Sequence, residues 1–315
     1  MGEILTPDPH PVLSAGRGGH LVIGANGGIG SALYSRLKAS VETVWGTTQR
    51  DLNSEDPQLF YLNLLDSPAD WRFPNASFDV VYLAAGICRM ALCESDPAGT
   101  SKVNIDGMTR LARFLSESGA FVVFLSTNQV FSGNDAFVTE NAPYRPLNEY
   151  GRQKAVVEEF IKQHCPRSAI VRLTKVVEPN MAMINQWVER LLNNKPIEAF
   201  NDMMLAPVSL SLVVDVLVQV GAQKKPGCYQ ISGAEDVSYL VLAQYLASCL
   251  NRSQSLVQSV SALDKGIKKT FLPRFTTLSC SSTIALCGLI PPHFSEVIKE
   301  CFQRVAAANE YGVRI

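Results

Sequence analysis

Tyr150 and Lys154 stand one helical turn apart in a stretch that reads as a helix opening near Asn148, so a phenol and an ammonium share one face. Such a pair makes a proton donor. A free phenol has a pKa of about 10, and a cation within roughly 4–6 Å favours its ionised form and draws that value toward working pH. Thr127, with Ser126 beside it, ends the preceding apolar run and can hydrogen-bond the oxygen that receives the proton. The three together suit reduction of a carbonyl, with the hydride coming from elsewhere. Tyr and Lys at this spacing on a half-exposed helix are otherwise mere neighbours, so the surrounding elements decide what they do.

Those elements begin with residues 121–125, β-branched and aromatic enough for a buried strand, followed by the polar loop 126–133 and a proline-punctuated segment to Pro146. Far upstream, residues 20–23 read as a first strand running into Gly24-Ala-Asn-Gly-Gly-Ile-Gly30, with a helix from about residue 31 to 38. Glycines at such a turn let the backbone approach a pyrophosphate whose charge is met by N–H groups at the helix start. Gly24, Asn26, Gly27, Gly28, Ile29 and Gly30 are the expected cradle. The spacing Gly24-x-x-Gly27-x-x-Gly30 is not the usual G-x-G-x-x-G, and a strand-to-helix turn without ligand also uses glycines. The flanking strand and helix favour the dinucleotide.

The second strand, near residues 42–45, bears on the choice of dinucleotide. An NAD site places Asp or Glu about 20 residues past the first glycines to hold the ribose hydroxyls. Here the strand runs out into Gly46-Thr-Thr-Gln-Arg50 with no acid, and Thr47, Thr48 and Arg50 can receive a 2′-phosphate. NADP is expected, with NAD left open by the neighbouring Asp51. After a third strand at 59–62, Asn63 and Leu64 are placed to pass the adenine. The fourth strand, 78–83, closes on Ala84, Ala85 and Gly86, small enough to leave room for the middle of the cofactor. Asp96-Pro97 opens a helix that carries Asn104 to about residue 116. Beyond Lys154 the helix runs to about 163 and a sixth strand covers 169–173.

Strand–helix alternation of this length predicts an α/β fold: a doubly wound parallel (Rossmann) sheet with a smaller, irregular C-terminal substrate-binding portion. Residues 1–18, rich in proline and glycine, read as a flexible arm. Residues 19–175 form the dinucleotide-binding domain, with a later contribution from about 206–233, and 176–205 with 234–315 supply the substrate portion. There the readings are a helix at 184–192, a strand at 207–212, a helix at 213–222, a strand at 228–232, and helices at 237–250 and 294–307.

Of the 315 residues 47% are hydrophobic and 18% charged, and the net charge is −1. That balance offers no field for nucleic acid or an anionic membrane. No apolar run has the length of a membrane span, and no signal peptide is read at the start, so a cytoplasmic protein is expected. The eight cysteines include no C-x-x-C and read as reduced core residues. The four histidines lie far apart in sequence, and no metal is expected.

Taken together, these motifs resemble the extended short-chain dehydrogenase/reductase superfamily, and within it the dTDP-4-dehydrorhamnose reductase branch. The resemblance covers about residues 19–305 and rests on Gly24 to Gly30, Ser126-Thr127 with Val130-Phe131 and Gly133, the Tyr-Gly-Arg-Gln-Lys run of 150–154, Ile231-Ser-Gly233 with Ser238, and Pro273-Arg274 followed by Leu278. It implies hydride transfer from a nicotinamide cofactor to a keto group on a nucleotide-linked deoxysugar. Tyr150 would deliver the proton, Lys154 would hold the nicotinamide ribose and lower the phenol's pKa, Thr127 would orient the carbonyl, and Asn104 would support the site near the cofactor. Arg274 would meet the sugar nucleotide's phosphates.

The chain departs from the branch at Asn128-Gln129, where Asp-Tyr is usual, and at Ser132, which often is acidic. That loop faces the sugar, so Asn128 and Gln129 are expected to touch substrate and the sugar is not fixed as rhamnose. Two alternatives share the resemblance: an epimerase on the same site, and a non-catalytic NADP-binding regulatory subunit like the β subunit of methionine adenosyltransferase. A homodimer is compatible with all three.

Overall fold

The computed structural model describes residues 18–40, 43–49, 56–178 and 181–308, without the side chains of 302–308. Arg50, Asp51 and the arm up to residue 17 lie outside the described residues.

The first half runs β1 (Gly19–Ile23), α1 (Gly28–Lys38), β2 (Val44–Thr48), β3 (Leu59–Tyr61), β4 (Phe78–Leu83), α2 (Met90–Ser95), α3 (Pro97–Ser101), α4 (Met108–Glu117), β5 (Phe121–Thr127), α5 (Glu149–His164) and β6 (Ser168–Leu173). The second half runs β7 (Lys175–Val177), α6 (Ala182–Leu192), β8 (Ile197–Phe200), β9 (Met204–Leu205), β10 (Pro207–Ser209), α7 (Leu210–Gln223) and β11 (Gly227–Ile231). It ends with β12 (Val237–Ser238), α8 (Tyr239–Cys249), β13 (Val257–Val260), α9 (Ser281–Cys287) and α10 (Phe294–Ala308).

Seven strands pair in parallel in the order β11-β6-β5-β4-β1-β2-β3. A parallel strand is covered on both faces and so reads as a continuous apolar run. β5 has all seven residues buried, β6 all six, and β4 all but Asp79. Leu33 and Leu37 of α1 and Val213 and Leu217 of α7 cover one face, while Leu111 and Leu115 of α4 and Val157 and Ile161 of α5 cover the other. Each such side chain contributes about 1.5–3 kcal/mol by burial. A third apolar cluster joins α6, α8 and the start of α10 with β8, β9, β12 and β13. The doubly wound parallel sheet expected from the alternation is the fold observed. Among the described residues, no helix is long and apolar enough to cross a membrane.

Several boundaries differ from the sequence reading for local reasons. Helix α1 starts at Gly28, a turn before residue 31. The expected strand 207–212 stops at Ser209, whose hydroxyl accepts from the Leu212 N–H and caps α7 there. Ser238 does the same for α8 through Val241 N–H, so the expected helix 237–250 gives up its first two residues to β12. The helix opened by Asp96 is α3 continued into α4 through a π-helical turn at Lys102–Gly107. Such turns are frequent at functional sites, and this one carries the buried Asn104.

Candidate active site

In an open parallel sheet, ligands sit beyond the carboxyl ends of the strands where the strand order reverses. That point lies between β1 and β4, and a cavity of about 510 Å³ opens there. Its wall includes Gly27, Gly28, Ile29 and Gly30 after β1, Ala84 and Gly86 after β4, Thr127 on β5, and Tyr150 and Lys154 on α5.

Asn148 caps α5 by accepting from Gly151 N–H at 2.9 Å, which sets the first turn and so the position of Tyr150. Gly151 lets that turn press on the Gln129 carbonyl, a space any Cβ would fill. Lys154 lies beneath the phenol, its Nζ 6.0 Å from the Tyr150 ring centre and 4.6 Å from that of Phe124. It donates to Leu125 O at 2.8 Å. Thr127 Oγ1 accepts from Gln129 N–H at 3.2 Å and donates to Asn128 Oδ1 at 3.3 Å. The three residues singled out by spacing share one cavity wall.

The expected pKa direction for Tyr150 is overturned. Burial holds its phenol well above the ordinary value, and the Cys88 thiol, in hydrogen-bond reach, adds to the rise. The nearby cation does not offset this, because Lys154 is itself desolvated, with its pKa pushed down, and its ammonium is turned toward Leu125 O. Tyr150 therefore keeps its proton.

The glycines divide by role. Gly24 has φ +86° and a Cβ there would come within 2.9 Å of the Ala85 backbone, while a Cβ on Gly30 would collide with Gly24 O. These two, with Ala85, close the strand-to-helix packing. Among the described residues a Cβ on Gly27 would meet only Gly24 O, at 3.5 Å, and one on Gly86 only Asn104 Oδ1, at 3.2 Å. No side chain caps α1. An open glycine floor at an uncapped helix N-terminus fits the diphosphate of a dinucleotide.

At the far end, Asn26 Nδ2 donates to Thr48 Oγ1 at 3.0 Å, a polar pair at the tip of β2. Thr47 is only 2% exposed and its hydroxyl accepts from Gly24 N–H at 3.0 Å, so it ties β2 to the glycine turn. The expectation that Thr47 receives a phosphate gives way to that structural role. Asn63 accepts from Gln49 Nε2 and Leu65 N–H and donates to Asp66, and Leu64 is core, its carbonyl packed on Gly107.

Asn104, expected at the cofactor, is buried and does not line the cavity. Its side chain holds both the N–H and the carbonyl of Ile87, at 2.8 and 2.9 Å, and donates to Gln153 on α5 at 2.8 Å. It fixes the loop carrying Gly86 and Cys88. Cys88 is not a core residue as expected but an exposed one on the cavity wall.

On the substrate side the wall is formed by Met90, Met203, Tyr239, Phe271, Pro273 and Thr276. Asn128 and Gln129 also line it, Asn128 donating to Thr276 O at 3.2 Å and Gln129 accepting from Asn148 at 2.8 Å. Arg274 is exposed over the Phe275 ring and outside the lining residues. Sequence reasoning missed Asp236, whose carboxylate accepts from the N–H and hydroxyl of both Thr276 and Thr277. It pins this wall in place. Glu178 was missed too: it lines the cavity with its carboxylate against Gly28.

A parallel sheet with a glycine turn, and a Tyr–Lys pair at the carboxyl end of its strands, defines a dinucleotide-binding α/β protein of the short-chain dehydrogenase/reductase kind. The chain belongs to the family of the RmlD substrate binding domain, whose model matches residues 20–307. It is 26% identical over 274 residues to methionine adenosyltransferase 2 subunit beta of Xenopus laevis, covering 83% of this chain and 80% of that protein. It is 24% identical to the spore coat polysaccharide biosynthesis protein SpsK of Bacillus subtilis, covering 91% and 98%. The fold matches dTDP-4-dehydrorhamnose reductase of Bacillus anthracis, solved in complex with NADP, with a TM-score of 0.77 at 19% identity over 91% and 99% of the chains.

Proposed function

We propose that this protein is an NADPH-dependent reductase acting on a keto group of a nucleotide-activated deoxysugar. The observation that carries the reading is the convergence of Thr127, Tyr150 and Lys154 on the cavity floored by Gly27 and Gly28. When bound, the nicotinamide supplies the hydride.

Tyr150 then does the proton work. Because burial keeps its phenol neutral, the proton is in place when the carbonyl oxygen gains charge. An alkoxide is far more basic than a phenolate, so the transfer runs toward the alcohol even from a weak acid. A raised phenol pKa suits reduction more than the reverse reaction, which needs phenolate. Lys154, with three N–H donors and one spent on Leu125 O, can turn the others toward the nicotinamide ribose. Thr127 can redirect its long hydrogen bond from Asn128 to the substrate carbonyl.

Asn26 and Thr48, with Arg50 beyond the described residues, are proposed to face the adenosine 2′-phosphate, which favours NADP over NAD. Ala84 and Gly86 pass the middle of the cofactor. Asn128 and Gln129 are proposed to orient the sugar hydroxyls, while Met90, Met203 and Phe271 suit its deoxygenated face. Arg274, at the margin, is proposed for the diphosphate. Residues 176–205 with 234–315 serve as the substrate portion.

A second reading has one observation behind it: the likeness to methionine adenosyltransferase 2 subunit beta. In that reading the chain binds NADP and a partner protein without turnover. Net oxidation of NADPH, mole for mole with a keto-sugar nucleotide, tests the first reading. Binding of NADPH with no oxidation across thymidine, uridine and guanosine diphospho-keto-sugars favours the second.

A further inference from the structure

We propose that Glu178 is a built-in competitor for the cofactor's diphosphate, an internal anion seated at the start of α1 that a dinucleotide must displace. The inference rests on the reading of this groove as a dinucleotide site. A Cβ placed on Gly28 would collide with Glu178 Oε1 and stand 2.6 Å from Oε2, so the carboxylate lies directly on the first residue of α1. Among the described residues that helix has no side-chain cap and no acidic residue in its first turn, so the positive end of its dipole is open to an anion from outside the helix. A carboxylate in that position occupies the place a phosphate would take.

The placement is built rather than casual. Glu178 directly follows β7, which pairs with β10 over its whole length. Its carbonyl accepts from Met181 N–H at 3.2 Å and from the Cys301 thiol at 3.4 Å. The backbone is thus anchored to the C-terminal lobe while the side chain reaches across to the glycine turn. Among the described residues no Lys or Arg forms a salt bridge with this carboxylate, although its charge already reaches Lys175. Lys175, three residues earlier, lines the same cavity and offers a cation toward which the carboxylate can swing when displaced. Binding a diphosphate beside an unmoved Glu178 would set like charges together at the helix start, so affinity is set by how readily this side chain leaves.

The test is direct titration of NADPH into the wild-type protein and into Glu178→Gln and Glu178→Asp, at low and high salt, with thermal melts confirming that each variant is folded. Glu178→Gln, which keeps the shape and loses the charge, is expected to bind about three- to tenfold tighter at low salt. Glu178→Asp, too short to reach Gly28, is expected to bind more tightly as well. Adenosine 2′-monophosphate, which lacks the diphosphate, should bind all three alike. Equal or weaker NADPH binding by folded Glu178→Gln overturns the proposal, and would mark the carboxylate as a neutral bystander or as a ribose ligand. Failure of wild type and both variants alike to bind NADPH would instead sink the dinucleotide reading and this inference with it.

Discussion

Glu158 and Arg172 form an ion pair from which water is wholly excluded, with Nη2 2.7 Å from Oε2 and both side chains 0% exposed. Arg172 Nε adds contacts to both carboxylate oxygens at 3.1 and 3.0 Å, and Ser126 Oγ donates to Oε1 at 2.5 Å. Glu158 is one turn beyond Lys154 on α5, Arg172 lies on β6, and Ser126 precedes Thr127 on β5. The pair therefore locks the helix bearing Tyr150 and Lys154 to the strand bearing Thr127.

Removing one partner would strand the other charge in the core. Glu158→Ala is expected to destabilise the fold by about 3–5 kcal/mol, because the orphaned guanidinium keeps its desolvation cost. That is a large share of the roughly 5–15 kcal/mol typical of a domain. Urea unfolding measures it, and a loss below about 1 kcal/mol would show that the pair is not a structural lock.

Tyr150→Phe removes the proton and leaves the ring. Turnover should fall by about 100-fold or more, with NADPH affinity nearly unchanged in a fluorescence titration. Comparable turnover in the variant would remove Tyr150 as the acid.

The raised phenols predict how the protein meets alkali. Tyr82, Tyr144 and Tyr150 all have pKa values held up chiefly by burial, and Tyr239 is pushed up to about 12. A group whose folded pKa exceeds its unfolded value of about 10 binds its proton more tightly when folded. Its contribution is present in full below pH 10 or so and is lost as pH rises through the folded value. Urea midpoints should therefore be flat through neutral pH and fall above about pH 10, and Tyr82→Phe should shallow that fall. A midpoint that rises over the same range would contradict the burial of these phenols.

Gly27 and Gly30 separate binding from folding. Gly30→Ala should destabilise strongly, since its Cβ meets the Gly24 carbonyl, whereas Gly27→Ala, at φ −83° and with one contact at 3.5 Å, should fold with a wild-type melt. Its methyl enters the cavity floor, so NADPH affinity should drop. Unchanged affinity in Gly27→Ala would place the diphosphate elsewhere.

The parts of this molecule legible in the sequence are those governed by local pattern. Unbroken apolar runs such as residues 121–125 announce buried parallel strands, and Asn148 announces a helix cap. The illegible parts depend on what lies across space. Two- to four-residue strands such as β9, β12 and β13 carry no period to detect. The direction of the Tyr150 pKa turned on burial, which spacing along a helix does not reveal. Glu158 did leave a signal, one turn past Lys154 on the same face, but its partner Arg172 sat in a run read only as strand. Glu178 left none, since a single acid after β7 gives no hint that it reaches Gly28.

The central claim is that a hydride passes from cofactor to a sugar carbonyl beside Tyr150. Single-turnover reaction with NADPH dideuterated at the nicotinamide C4, followed by mass spectrometry of the sugar, tests it most directly. The account predicts one deuterium on the new carbinol carbon per NADPH consumed, and its loss in Tyr150→Phe. NADPH that stays bound and unoxidised across the keto-sugar nucleotides, with no label in any sugar, would contradict it.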